Sequence, residues 1–246
     1  MYGGADSDAA KIWRPFKMKN IFIASLLLVA FVFGSALPAS ADAPSNIAKE
    51  SKQSERAVQM VTALTTEAMK ILAAELSTEA REIAFGELVD RYLNVKRVAR
   101  FTLGRSARKI SDEDKLRFEE AFRHVLIKIY ANRLAGYTDE KVIVGKAKSK
   151  GRNNLVNSQI AFATERPPVD MVWWVIEEKD GTLSLFDVQI LGVWMAQEQR
   201  DIFSGVLKSN KGDIEALIKH LLDQVADADD TKEVVSDKKA PVISNR

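Results

Sequence analysis

The spacing of apolar residues changes twice along this 246-residue chain, and those two changes limit its fold more than any single motif does. Up to about Gly136 apolar residues recur every three or four positions, the period of a helix with one buried side. From Lys141 to Leu191 they recur about every second position, with turn residues at Lys150-Gly151, Arg166-Pro167-Pro168 and Lys179-Asp180-Gly181. After Gly192 the helical period returns. Helices, four sequentially joined strands, then helices again predict an α+β fold with a four-stranded antiparallel sheet, the strands spanning roughly 141–149, 153–164, 169–178 and 182–191. Within the last two, Val169 to Ile176 and Leu183 to Leu191 are apolar on both faces apart from Asp170 and Asp187, so both faces of the sheet must be covered.

Helix boundaries follow from capping chemistry. Val58, Val61, Leu64, Ala68, Ile71 and Leu72 mark one face of a helix from about Arg56 to Glu75. Ser77 or Thr78 caps a second, and Asn94 caps a short third that Gly104 stops. Ser111 and Asp114 sit at capping-box spacing ahead of Phe118, Phe122, Val125, Leu126, Ile129 and Tyr130, which predict a single wide apolar stripe.

The N-terminus gives an address. Lys11, Arg14, Lys17 and Lys19 precede an apolar run from Ile21 to Phe33, followed by Ala39-Ser40-Ala41. As a helix that run would span only about 20 Å at about 1.5 Å per residue, short of the roughly 30 Å hydrocarbon core. Residues 1–41 are therefore expected to be a signal peptide, with Met18 as an alternative start, and the mature chain to be exported, which suits a bacterial periplasm. Residues 42–53 read as a flexible leader, 54–225 as the folded domain and 226–246 as a disordered tail. Cleavage removes four basic and two acidic residues and leaves 32 of each, so no excess positive charge is available for nucleic acid.

Catalytic constellations are missing. The chain has no cysteine, which excludes disulfides, thiol nucleophiles and thiolate metal sites, and neither His124 nor His220 stands in a metal-binding or triad context. No catalytic residue, metal or cofactor is assigned. Asp187, a carboxylate in an apolar strand, is expected to pair with an arginine such as Arg200. Its alternative reading is the base of a cone-shaped isomerase or hydrolase, with Tyr130 or Tyr137 as acid.

The residues also carry a family resemblance. Leu103-Gly104, Tyr130-x-x-Arg133-Leu134-x-x-Tyr137, Asp180-Gly181 before Phe186-Asp187-Val188, Gly192-Val193, and Arg200-x-x-Phe203 leading to Gly212-Asp213-x-x-x-Leu217 occur in order over roughly Arg56 to Val225. The chain thereby resembles the MlaC/toluene-tolerance family of periplasmic phospholipid-binding proteins of the Mla lipid-transport system. It departs from the family's pattern at Leu183, Leu191, Trp194 and Ala107, which leaves a hopanoid-associated carrier as a variant of the same reading. The resemblance implies a monomeric, non-enzymatic carrier that binds phospholipid between sheet and helices. It would shuttle lipid between an outer-membrane lipoprotein complex and an inner-membrane ABC transporter with a lipid-binding ring, sustaining outer-membrane asymmetry. A non-catalytic envelope adaptor is the other alternative.

An acyl carrier needs a cavity nearly as apolar as a bilayer, because each methylene exposed to water costs about 0.8 kcal/mol. Alternation along the strands and the stripe of the long helix select Phe118, Phe122, Leu126, Tyr130, Met171, Trp173, Val175, Val188 and Ile190 as the expected lipid-binding lining.

Overall fold

The computed structural model describes residues 44–133, 140–163, 165 and 167–236; the expected signal peptide and Tyr137 lie outside them. Four helices come first: α1 (Pro44–Ala73), α2 (Thr78–Tyr92), α3 (Val95–Leu103) and, after a 3-10 turn at Gly104–Arg108, α4 (Asp112–Arg133). The strands follow as β1 (Lys141–Lys150), β2 (Asn153–Ala161), β3 (Val169–Glu177), β4 (Leu183–Ile190) and the two-residue β5 (Val193–Trp194). Helices α5 (Met195–Ser209) and α6 (Ile214–Ser236) complete the described chain. The sheet is antiparallel with order β1-β2-β3-β4-β5, so the four expected strands gain a fifth short one where the chain turns into α5.

Local chemistry sets the boundaries. Ser77 Oγ accepts from Ala80 N–H at 3.1 Å and Asn94 Oδ1 from Arg97 N–H at 3.0 Å, each satisfying a donor that its helix cannot. Ser111 Oγ accepts from Asp114 N–H at 3.0 Å and donates to Asp114 Oδ2 at 2.7 Å, so the short acid closes its box on the cap's hydroxyl. At the β3–β4 turn Gly181 adopts φ +84°, and Glu178 N–H donates to Thr182 O at 2.7 Å.

Two expectations about the ends need correction. The leader is helical from Pro44, and Gln53 is buried with its amide donating to Gly151 O at 2.8 Å. Residues 48–52 are all exposed, and a helix solvated on every side has no hydrophobic period to read. Likewise α6 continues through Ser236, into the stretch expected to be a disordered tail. Extending an established helix fixes one residue per added hydrogen bond, whereas the composition argument treated the segment as if it had to nucleate alone.

Two hydrophobic cores lie on opposite faces of the sheet. One joins α3, α4, α5 and α6 to Ile176 and Phe186, and the other joins α1, α2 and α4 to Val156, Val175 and Leu185. Helix α4 serves both. Phe118, Phe122, Val125 and Ile129 enter the first core, while Ile127 and Ala131 enter the second. The single stripe expected for this helix is thus two stripes, and its sequence shows less one-sidedness because both sides are covered.

Candidate functional site

Strand register decides which side chains share a face. Residues directly opposite in an antiparallel pair point the same way. The pairs Val156↔Trp173, Ser158↔Met171, Trp173↔Val188 and Met171↔Ile190 place these residues on one surface. Val144 and Ala147 of β1 join them opposite Ser158 and Val156. Beyond a bulge between Trp174 and Val175, Val175 pairs with Leu185, bringing Leu183 and Leu185 onto the same surface. The result is a largely apolar sheet face that carries Glu177 at its end, opposite Leu183, where Arg56 pairs with it. The opposite face carries Asp170, Asp187 and the lysines of β1.

The apolar face is covered by α1, α2 and α4, but unevenly. Val156 and Val175 are fully buried and Met171 nearly so, whereas Trp173, Val188 and Ile190 are half-buried. Leu126 and Tyr130 of α4, also half-buried, pack against the same layer. The few polar atoms here have partners: Trp173 Nε1 donates to Ser158 Oγ at 2.7 Å, and Asn154 Nδ2 to Val175 O at 3.2 Å. Apolar residues on the strand ends and the following turn remain open: Ile143 is 57% exposed, Leu191 69% and Val193 44%.

Helix α1 is strapped over this face by polar contacts at one end. Gln53 reaches Gly151 O, Ser54 Oγ lies 2.6 Å from Ser149 Oγ, and Arg56 pairs with Glu177 Oε1 at 2.9 Å and donates to Gly181 O at 2.5 Å. Farther along, its polar contact is with α2: Glu67 accepts from Arg91 at 2.6 Å and from Tyr92 Oη at 2.8 Å. So α1 is pinned to the sheet at the β1–β2 and β3–β4 turns, and to its neighbouring helix elsewhere.

Seven of the nine residues expected to line a cavity therefore share one layer: Leu126, Tyr130, Met171, Trp173, Val175, Val188 and Ile190. Phe118 and Phe122 do not join them. Both are buried in the other core, against Phe203 at ring-centroid distances of 5.8 and 6.4 Å. They sit two and one helical turns before Leu126, where α4 turns its other stripe toward α5 and α6. Val144, Ala147, Val156 and Leu185 belong to the layer and were missed. Alternation could have found Val156, but the bulge hid the parity of Leu185.

Asp187 has a structural role, with a different partner from the one expected. One of its carboxylate oxygens accepts from Val188 N–H at 2.7 Å and Ala196 N–H at 2.8 Å, at the start of α5. No arginine pairs with it among the described residues; Arg200 instead lies over the Phe101 ring, 4.9 Å from its centroid. Burial raises the Asp187 pKa above the ordinary carboxylate value, opposed by the backbone N–H groups of Ala196, Val188, Gln197 and Met195. Among the described residues no cluster of His, Cys, Asp and Glu is suited to a metal ion, and no helix is long and apolar enough to cross a membrane.

Comparison with known proteins agrees with this architecture. The chain is similar to a phospholipid-binding protein from Ralstonia solanacearum solved in complex with a phospholipid at 1.53 Å, with a TM-score of 0.59 and 20% identity over 69% of this chain and 97% of that one. At that identity the likeness establishes the fold. The intermembrane phospholipid transport system binding protein MlaC of Haemophilus influenzae is 26% identical over 130 residues, 52% of this chain and 60% of that protein. The match thus spans under two thirds of the curated relative's length. The model of the family described as MlaC protein matches residues 60–223, well over half of the sequence. This chain belongs to the MlaC family.

Proposed function

We propose that this chain is a periplasmic phospholipid carrier that holds acyl chains between the apolar sheet face and helices α1 and α4. The observation that carries the reading is that face itself: a surface from β1 to β4 that is apolar between Val144 and Ile190, with Glu177 set at its turn end and paired with Arg56, closed by Leu126 and Tyr130 and only half-buried at Trp173, Val188 and Ile190. A core built only for stability gains from complete burial, at about 25 cal/mol per Å² of apolar surface. Partial cover suits a layer that parts to admit a ligand. The lipid headgroup would stay in water beside Ile190 and Leu191, so no specific polar constellation is required.

In this reading cargo passes between an outer-membrane lipoprotein complex and an inner-membrane ABC transporter; the intermembrane transport in the name of the Haemophilus influenzae relative supports passage between two membranes. The alternative of a hydrolase or isomerase loses its proposed base, because the Asp187 carboxylate is occupied by the N-terminus of α5. The test is native mass spectrometry of the protein purified from the periplasm, followed by organic extraction. Stoichiometric glycerophospholipid is the expected result. A bare chain that also takes up no lipid from vesicles would overturn the reading.

A further inference from the structure

The other face of the sheet has an opening of different character. Phe101, Ala107, Trp174, Ile176 and Phe186 floor a groove of about 450 Å³, within the size range of small-ligand sites. Its rings interlock edge to face: Phe101–Phe186 at 5.1 Å, Trp174–Phe186 at 4.9 Å and Trp174–Trp194 at 5.7 Å between centroids. Through Arg100 and Phe101 it continues into a second hollow of about 260 Å³, lined also by Gly104, Arg105, Arg108 and Arg200.

The charges around this pair of hollows are unbalanced. Arg97 at the rim is neutralised by Glu178, which Ser184 and Asn94 also hold. Burial raises the Glu178 pKa, but these hydrogen bonds outweigh it and keep the carboxylate below its usual value. Arg100, Arg105, Arg108 and Arg200 form no ion pair among the described residues. Asp112, which feels the charge of Arg100, is bonded to Lys115 at 2.8 Å. Four uncompensated guanidiniums on one hollow repel one another, and Arg200 is half-buried as well. Gly104 makes the arrangement possible: at φ +57°, a Cβ there would lie 3.1 Å from Arg200 Nε.

We propose that the two hollows form a second ligand site, for a phosphate-bearing amphiphile bound as a monomer. Its phosphate would take bidentate hydrogen bonds from the arginine end, and its first methylenes would cover the Phe101–Trp174–Phe186 floor. A free inorganic anion would leave that floor wet. The proposal rests on the carrier reading for the class of ligand, and on the groove alone for its place. The sheet stands between this site and the acyl layer.

The probe is dodecyl phosphate, titrated as monomer while the Trp174 indole N–H resonance is followed, with dodecyl maltoside and inorganic phosphate as controls. The expected result is saturable binding that Arg105→Glu/Arg108→Glu weakens roughly tenfold or more, and that Ala107→Trp blocks by filling the floor. Both arginines are exposed, so a far-ultraviolet spectrum and melting curve like the parent's are expected for that variant. Unchanged affinity in both variants overturns the proposal. So does equal binding of inorganic phosphate, which marks a plain anion site, or a response to anionic vesicles alone, which marks a membrane contact. Co-purifying phospholipid with no dodecyl phosphate at the groove defeats this site and spares the carrier reading. Dodecyl phosphate at the groove of a protein that carries no phospholipid does the reverse.

Discussion

The two cores differ in where they are open: the helical one only at its Phe101–Trp174–Phe186 edge, the other across the large side chains of its sheet layer. On the helical side, Phe118, Phe203 and Leu217 have no exposed surface, and Phe118 and Phe122 meet Phe203 almost at right angles, at 89° and 88°. On the side of the apolar sheet face, Val156 and Val175 are buried but the large groups Trp173, Tyr130 and Leu126 are not fully covered. A protein that must open somewhere without unfolding needs this division. The closed centre of the helical core supplies cooperativity, and the half-buried layer on the other side can open at small expense in free energy.

That comparison can be tested by substitution. Phe203→Ala removes the ring at the centre of the helical core and is expected to lower stability by about 3–5 kcal/mol in urea unfolding. Trp173→Ala, at a half-buried position, is expected to cost about half as much while sharply reducing the phospholipid retained on purification. Equal losses of stability from the two would mean that the cores are equally closed, and the division would fail.

Asp187 stands where the sheet hands over to α5. Asp187→Ala removes the acceptor for two buried N–H groups and is expected to cost about 1–2 kcal/mol. Asp187→Asn keeps an acceptor and removes the charge, so it isolates a pH effect. A carboxyl whose folded pKa is raised binds its proton more tightly in the folded protein. The wild type should therefore gain stability relative to Asp187→Asn as pH falls through the raised value toward the ordinary carboxylate range, and show no further relative gain below it. Urea midpoints of the two proteins across that range check the sign.

The smallest effect expected is none. Ser54 and Ser149 have their hydroxyls 2.6 Å apart, and the chain has no other cysteine to interfere with a Ser54→Cys/Ser149→Cys pair. If lipid enters away from the end where α1 is strapped, oxidising this pair leaves the rate of lipid exchange with vesicles unchanged. Arrested exchange would show that α1 lifts as a whole and would move the entrance to the turn end of the sheet.

Much of this was legible in the residues. The switch of period at Lys141 placed the sheet, and Ser77, Asn94, Ser111 and Gly181 act as caps and turn where their chemistry predicts. Four errors share one cause, which is that periodicity reports burial and only on one side at a time. The solvated start of α1 had no pattern, the charged end of α6 had no apolar stripe, α4 merged two stripes into one, and Phe118 and Phe122 were assigned with Leu126 for that reason. The arginine groove was not legible at all. Arg100, Arg105, Arg108 and Arg200 come together only when α3, its 3-10 extension and α5 pack, and nothing in their spacing along the chain announces it.

The bulge in β4 has a consequence for how this gene can change. Strict alternation would let the strand present either Leu183 and Leu185 or Val188 and Ile190 to the apolar face, but not all four. The extra residue beside Phe186 resets the phase, so both pairs face inward and Asp187 turns to the helix behind. Most positions of β4 should accept another side chain of similar size. Loss of a single codon there would instead exchange one face for the other, bringing the carboxylate into the apolar layer and sending two aliphatic side chains out of it. Relatives of this chain are therefore expected to differ along β4 by substitution, and to place their insertions and deletions in the turns on either side.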